Sequence, residues 1–82
     1  MTVTIYSKDD CVYCYAAKDL CVQKGMKYNE IVIGRDIQRE EFLSILPKAK
    51  TVPQIFVEEN YVGGYIDFEK YVGENYGERN SN

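Results

Sequence analysis

The chain has 82 residues, 45% of them apolar, with a net charge of −3 and no histidine. That length holds one domain, and the mixed, slightly acidic charge gives no electrostatic footprint for nucleic acid or an anionic membrane. No apolar run approaches the roughly 18–20 residues of a membrane span, and no charged-then-apolar leader opens the chain; a cytoplasmic, reducing setting is expected.

Val3–Tyr6 (VTIY) is short, β-branched and aromatic, and reads as a strand. From Val12 to Lys24 the pattern turns helical. Ala17, Leu20 and Cys21 share one face, and Gly25 supplies the stop. Tyr28–Ile33 reads as a second strand. GRDIQREEFLSIL predicts a second helix with Asp36 as N-cap and Ile37, Phe42, Ile45 and Leu46 as its apolar residues, ended by Pro47. Gln54–Glu58 is a third strand, Glu59–Asn60 a tight turn, and YVGG (61–64) a fourth strand pairing back. Asp67 is the expected N-cap of a last helix, DFEKYVGENY. The domain is expected to span residues 1–76, and residues 77–82 to form a polar, disordered tail.

The order β-α-β-α-β-β-α implies an α/β fold: a four-stranded mixed sheet flanked by three helices. The first two strands are parallel across a right-handed crossover, and the last two form an antiparallel hairpin. Cys11 and Cys14 then fall where the first strand hands over to the first helix.

A pair at i, i+3 on a helix start can reach the geometry of a disulfide. With Cys11 at the N-cap, unsatisfied N–H groups and the helix dipole face its sulfur, and Lys8 adds positive charge. Both favour the thiolate and pull the Cys11 pKa below the ordinary value near 8.5; Asp9 and Asp10 oppose this. Cys11 is therefore the expected nucleophile and Cys14 the less exposed resolving thiol. Two other roles compete. A zinc site wants four N or S ligands, and the chain offers this pair, Cys21 and carboxylates, so no metal is expected. A structural disulfide across one turn closes too short a loop to stabilise much. Cys21, on the apolar stripe, is expected to fill core.

Three separated motifs carry a resemblance to the dithiol glutaredoxins of the thioredoxin-like superfamily. SKDDCVYC (7–14) resembles the family's active site, TVP (Thr51, Val52, Pro53) its cis-proline motif, and GGYID (63–67) its Gly-Gly-x-x-Asp motif. The resemblance covers residues 2 to about 76 and implies the thioredoxin-like fold, with a cis bond before Pro53 facing the cysteines. It implies a glutathione-dependent thiol–disulfide oxidoreductase that works as a monomer on disulfide-bearing proteins, with ribonucleotide reductase a family-level candidate. Glutathione is then co-substrate, and no cofactor is held tightly.

Glutathione carries two carboxylates and a thiol, so its site should offer positive ends on either side of Cys11. For the glycyl end the resemblance points to Lys8 and to one residue of Gln38–Glu40, of which Arg39, the base, is the expected one. Val52 would present its backbone to the substrate, with Thr51 and Pro53 on either side of it in the same binding segment. Gly63 and Gly64 permit positive φ and close approach. The N–H groups of Ile66 and Asp67 would take the γ-glutamyl carboxylate at a helix N-terminus. Tyr13 would wall the thiol groove, whereas Lys50 reads equally as a solvated loop charge.

Two alternatives stand beside this expectation, the first in the same chemistry and the second a non-enzymatic carrier. One is a glutaredoxin-like electron donor to ribonucleotide reductase recharged by thioredoxin reductase, which typically carries Ser-Gly-Phe-Arg-Pro where this chain has GGYID. The other is a [2Fe–2S] carrier built on Cys11 of two chains plus glutathione, for which Val12 and Tyr13 are bulky. Val12 also stands where the family most often has Pro, a change expected to alter the balance of dithiol and disulfide.

Overall fold

The computed structural model describes residues 2–77; the remainder of the expected tail, 78–82, lies outside the described residues. Strands β1 (Thr2–Ser7), β2 (Lys27–Val32), β3 (Gln54–Val57) and β4 (Asn60–Gly63) form one sheet in the order β2-β1-β3-β4. β1 runs parallel to β2 and antiparallel to β3, and β4 pairs antiparallel with β3. Helices α1 (Val12–Gln23), α2 (Arg39–Ile45) and α3 (Tyr65–Val72) complete the expected order, and a short π-helix follows at Gly73–Gly77.

The two faces of β1 bury different partners, because alternate side chains point to opposite sides. Val3 and Ile5 lie opposite Val57 and Ile55 of β3, and all four are buried in one core with Ala17 and Cys21 of α1 and Phe68 and Val72 of α3. On the other side Tyr6 packs against Phe42 of α2 and Phe56 of β3, with ring centroids 5.4 and 5.9 Å away.

Helix α1 ends as its sequence predicts. Gly25 takes φ +68°, its N–H donates to the Val22 carbonyl at 3.2 Å, and the Met26 N–H donates to Cys21 at 2.9 Å. These are the two bonds of a Schellman cap, and they deliver the chain into β2 with Met26 buried in the same core as Cys21.

Both aspartate N-caps are corrected. The Asp36 carboxylate accepts from the N–H of Val32 at 2.8 Å, so it closes the loop after β2 and is not free to cap. Gly34 at φ +94° donates to the Ile37 carbonyl at 2.7 Å, and α2 starts only at Arg39 with Gln38 as its cap residue. In α3 the N-cap is Gly64, and Asp67 lies inside the first turn. The tight turn also sits one residue earlier than expected. Val57 pairs with Asn60, so the turn residues are Glu58, at φ +57°, and Glu59.

Candidate active site

β1 ends at Ser7, and four residues later the chain enters α1 through Cys11, whose extended backbone (φ −117°, ψ 110°) makes it the N-cap. Its sulfur accepts the backbone N–H of Cys14 at 3.2 Å, the bond a serine or aspartate oxygen makes at other helix starts. The two cysteines are joined in a disulfide, with Cα atoms 5.2 Å apart. Cys11 is 8% exposed and Cys14 1%, so both are buried and Cys11 is the less buried of the two. Val12 and Tyr13 between them project into solvent.

Across from the disulfide, the Val52–Pro53 peptide bond is cis, and the Val52 carbonyl oxygen lies 3.8 Å from the Cys11 sulfur. Thr51 and Val52 form the seam between two cavities. The first, about 310 Å³, is bordered by Lys8, Arg39 and Lys50 with Phe42 among its apolar lining. The second, about 290 Å³, is bordered by Tyr13, Pro53, Gly64, Tyr65 and Ile66. One end of the seam is cationic; the other opens on the first turn of α3, where N–H groups have no partner within the helix.

Most residues singled out in the sequence meet here. Lys8, Arg39, Thr51 and Val52 border the first cavity, and Tyr13, Pro53, Gly64 and Ile66 the second. Asp67 borders neither. Its side chain folds back over Gly63, which has φ +126°, and a Cβ built on Gly63 would come within 2.9 Å of the Asp67 Cβ. Gly64 differs from the expectation of a left-handed glycine: it is extended at φ −84°, and its nearest neighbour is the Pro53 carbonyl oxygen, 3.6 Å from an added Cβ. Gly63 therefore makes the turn into α3, and Gly64 lets that turn approach Pro53.

Two residues matter more than their sequence context indicated. Lys50 borders the cationic cavity beside Lys8 and Arg39; its position next to TVP was the available signal. Tyr65 packs on Tyr13, with ring centroids 5.8 Å apart, so the exposed ring between the two cysteines is backed by one from α3. Burial, then the nearby Glu69 carboxylate, pushes the Tyr65 phenol pKa up.

Beneath the site, Ser7 is fully buried and its hydroxyl donates to Glu30 Oε2 at 2.6 Å. Lys18 of α1 donates to the same oxygen at 3.0 Å. The Ser7 bond, with the Lys18 charge after it, holds the Glu30 carboxyl below its ordinary pKa despite partial burial. This knot ties β1, β2 and α1 together just under the Cys11 loop. Cys21 is the remaining thiol among the described residues; it is wholly buried, and desolvation pushes its pKa up to about 11. Among the described residues no group of three or more His, Cys, Asp or Glu is gathered to hold a metal ion, and no helix is long and apolar enough to cross a membrane.

A Cys-x-x-Cys pair at a helix N-cap, facing a cis-proline segment on a four-stranded sheet, defines a thiol–disulfide oxidoreductase of the thioredoxin-like class. The glutaredoxin family pattern matches residues 3–62, and the chain belongs to that family. It is 41% identical over 66 residues to glutaredoxin 3 of Escherichia coli K12, covering 79% of this chain and 78% of that protein. It is 34% identical over 70 residues to the hybrid peroxiredoxin hyPrx5 of Haemophilus influenzae, of whose length it spans only 29%. The solved structure of reduced E. coli glutaredoxin superposes with a TM-score of 0.78 at 34% identity, covering 92% of this chain and 96% of that one. A buckwheat glutaredoxin–glutathione complex superposes with a TM-score of 0.71 at 27% identity, covering 88% and 69%.

Proposed function

We propose that the protein is a glutathione-dependent disulfide reductase. The observation that carries this reading is the pair of cavities meeting at Thr51 and Val52, with the Cys11 sulfur beside the seam. An extended tripeptide with a carboxylate at each end and a thiol between fits that layout. Its glycyl carboxylate would lie toward Lys8, Arg39 and Lys50, which supply charge-assisted hydrogen bonds. Its γ-glutamyl carboxylate would meet the N–H groups of Ile66 and Asp67 in the first turn of α3. Val52 would pair its backbone with the central cysteine, as an added strand does. The likeness to a structure solved with glutathione supports this use of the site.

In the reaction, the Cys11 thiolate attacks one sulfur of a substrate disulfide, forming a mixed disulfide and releasing the other sulfur as a thiol. For protein disulfides, Cys14 then attacks the Cys11 sulfur and frees the second substrate thiol, leaving the Cys11–Cys14 disulfide. One glutathione opens that disulfide to give Cys11-bound glutathione. A second glutathione takes the bound one away as glutathione disulfide, restoring the dithiol. With a glutathione mixed disulfide as substrate, Cys11 alone completes the cycle. Disulfide-bearing proteins of the cytoplasm, ribonucleotide reductase among the candidates, are the proposed partners, and the active form is a monomer.

The test is to trap the intermediate. Cys14→Ser, treated with glutathione disulfide, should carry one glutathione on Cys11. Amide resonances of Val52, Ile66 and Asp67, and the side chains of Lys8 and Arg39, should shift on loading. A loaded protein in which only residues next to Cys11 shift would contradict the two-ended site.

A further inference from the structure

Thr51 and Val52 border both cavities, yet little of the backbone ladder holds them. Among the described residues, no backbone-to-backbone hydrogen bond outside the helices and strands involves Lys50 to Pro53. A side chain takes that role. Gln54, the first residue of β3, is 5% exposed. Its Nε2 donates to the Thr51 carbonyl at 2.9 Å and lies 3.4 Å from the Thr51 hydroxyl oxygen. The Thr51 carbonyl only accepts, so the NH₂ end of the amide must face it. That leaves the amide oxygen pointing away, where the hydroxyl of Tyr61 in β4 donates to it. Every end of this buried carboxamide is used, and a buried amide oxygen without its donor is costly.

We propose that Gln54 and Tyr61 are positioning residues that clamp Thr51, and through it the Val52 backbone, beside the Cys11 sulfur. The clamp deepens the glutathione reading above and rests on it. Its logic is that a substrate paired to Val52 binds well only if that backbone is already fixed, since ordering a loose segment on binding costs affinity.

Tyr61→Phe isolates the hydroxyl. The ring stays against Phe56, 5.4 Å away between centroids, and the position is half-exposed, so the fold is kept and the one loss is the donor to the Gln54 oxygen. The expected result is a rise of about 3- to 10-fold in KM for a glutathione mixed disulfide, the worth of one neutral hydrogen bond, with kcat and the Cys11 alkylation rate unchanged. Gln54→Met, which removes both ends of the clamp, should raise KM at least as much. Amide resonances of Thr51 and Val52 in the Tyr61→Phe protein, without substrate, should shift or broaden. Unchanged KM overturns the proposal, as does a fall in kcat that tracks a fall in thermal stability. If the wild-type protein does not use glutathione at all, the function reading fails; the Thr51 and Val52 resonances then still decide the clamp, and unmoved signals overturn it.

Discussion

The backbone N–H of Cys14 points at the sulfur of Cys11 from 3.2 Å, so the helix that carries Cys14 also solvates the Cys11 sulfur. In the reduced protein this donor and the helix dipole favour a thiolate at Cys11, while Cys14, 1% exposed, gains nothing comparable. Limiting iodoacetamide at neutral pH should therefore label Cys11 at least about tenfold faster than Cys14. Peptide mapping after the pulse gives the ratio; equal labelling would mean the N-cap does not activate Cys11.

The neighbouring glycines of the GGYID segment should respond differently to the same change. Gly63→Ala places a Cβ on a backbone at φ +126° and against Asp67, so it should cost about 2 kcal/mol or more. Gly64→Ala meets only the Pro53 carbonyl at 3.6 Å and is already extended, so about 1 kcal/mol is the ceiling. Denaturant unfolding of both variants checks the contrast, and equal losses would contradict it.

Glu30 has a folded pKa below its unfolded one, held there chiefly by the Ser7 hydroxyl. A depressed carboxylate pKa stabilises the fold above the unfolded value, about 4.3, and that stability disappears as pH falls through the folded value. Glu30→Gln should thus lower the thermal midpoint at neutral pH, and the gap from wild type should narrow well below about pH 4. Melting curves at the two pH values decide it; a gap independent of pH would show that charge is not the cause.

Much of this site was legible in the chain, and the reasons are local. The Cys11–Cys14 spacing falls between a β-branched run and an amphipathic stretch, so the strand-to-helix junction could be located from neighbours a few residues away. Asp36 and Asp67 were misleading for the opposite reason. Each has the side chain of an N-cap, but Asp36 spends its carboxylate on Val32 and Asp67 folds over Gly63, partners that local pattern does not rank. Gln54 was hidden for a similar reason. A polar residue opening a strand looks unremarkable until the β3–β4 pairing, shifted between Ile55 and Phe56, brings Tyr61 to it.

Cys21 is wholly buried, with its pKa pushed up to about 11, so it should stay out of the redox chemistry. The oxidised folded protein should show no fast-reacting thiol, and denaturation should release one. Cys21→Ala should keep its turnover while losing about 1 kcal/mol of stability for the small void. A fast-reacting thiol in the folded oxidised protein, or lost turnover in the variant, would give Cys21 a role that its burial argues against.

The central claim is that the cavities flanking Cys11 serve glutathione, and the choice of electron source tests it most directly. Turnover of a glutathione mixed disulfide should be measured with glutathione and glutathione reductase, beside an identical reaction driven by thioredoxin reductase. Turnover in the first reaction and little in the second is the predicted result. Turnover with thioredoxin reductase alone would leave the Cys11–Cys14 chemistry standing and contradict the glutathione site.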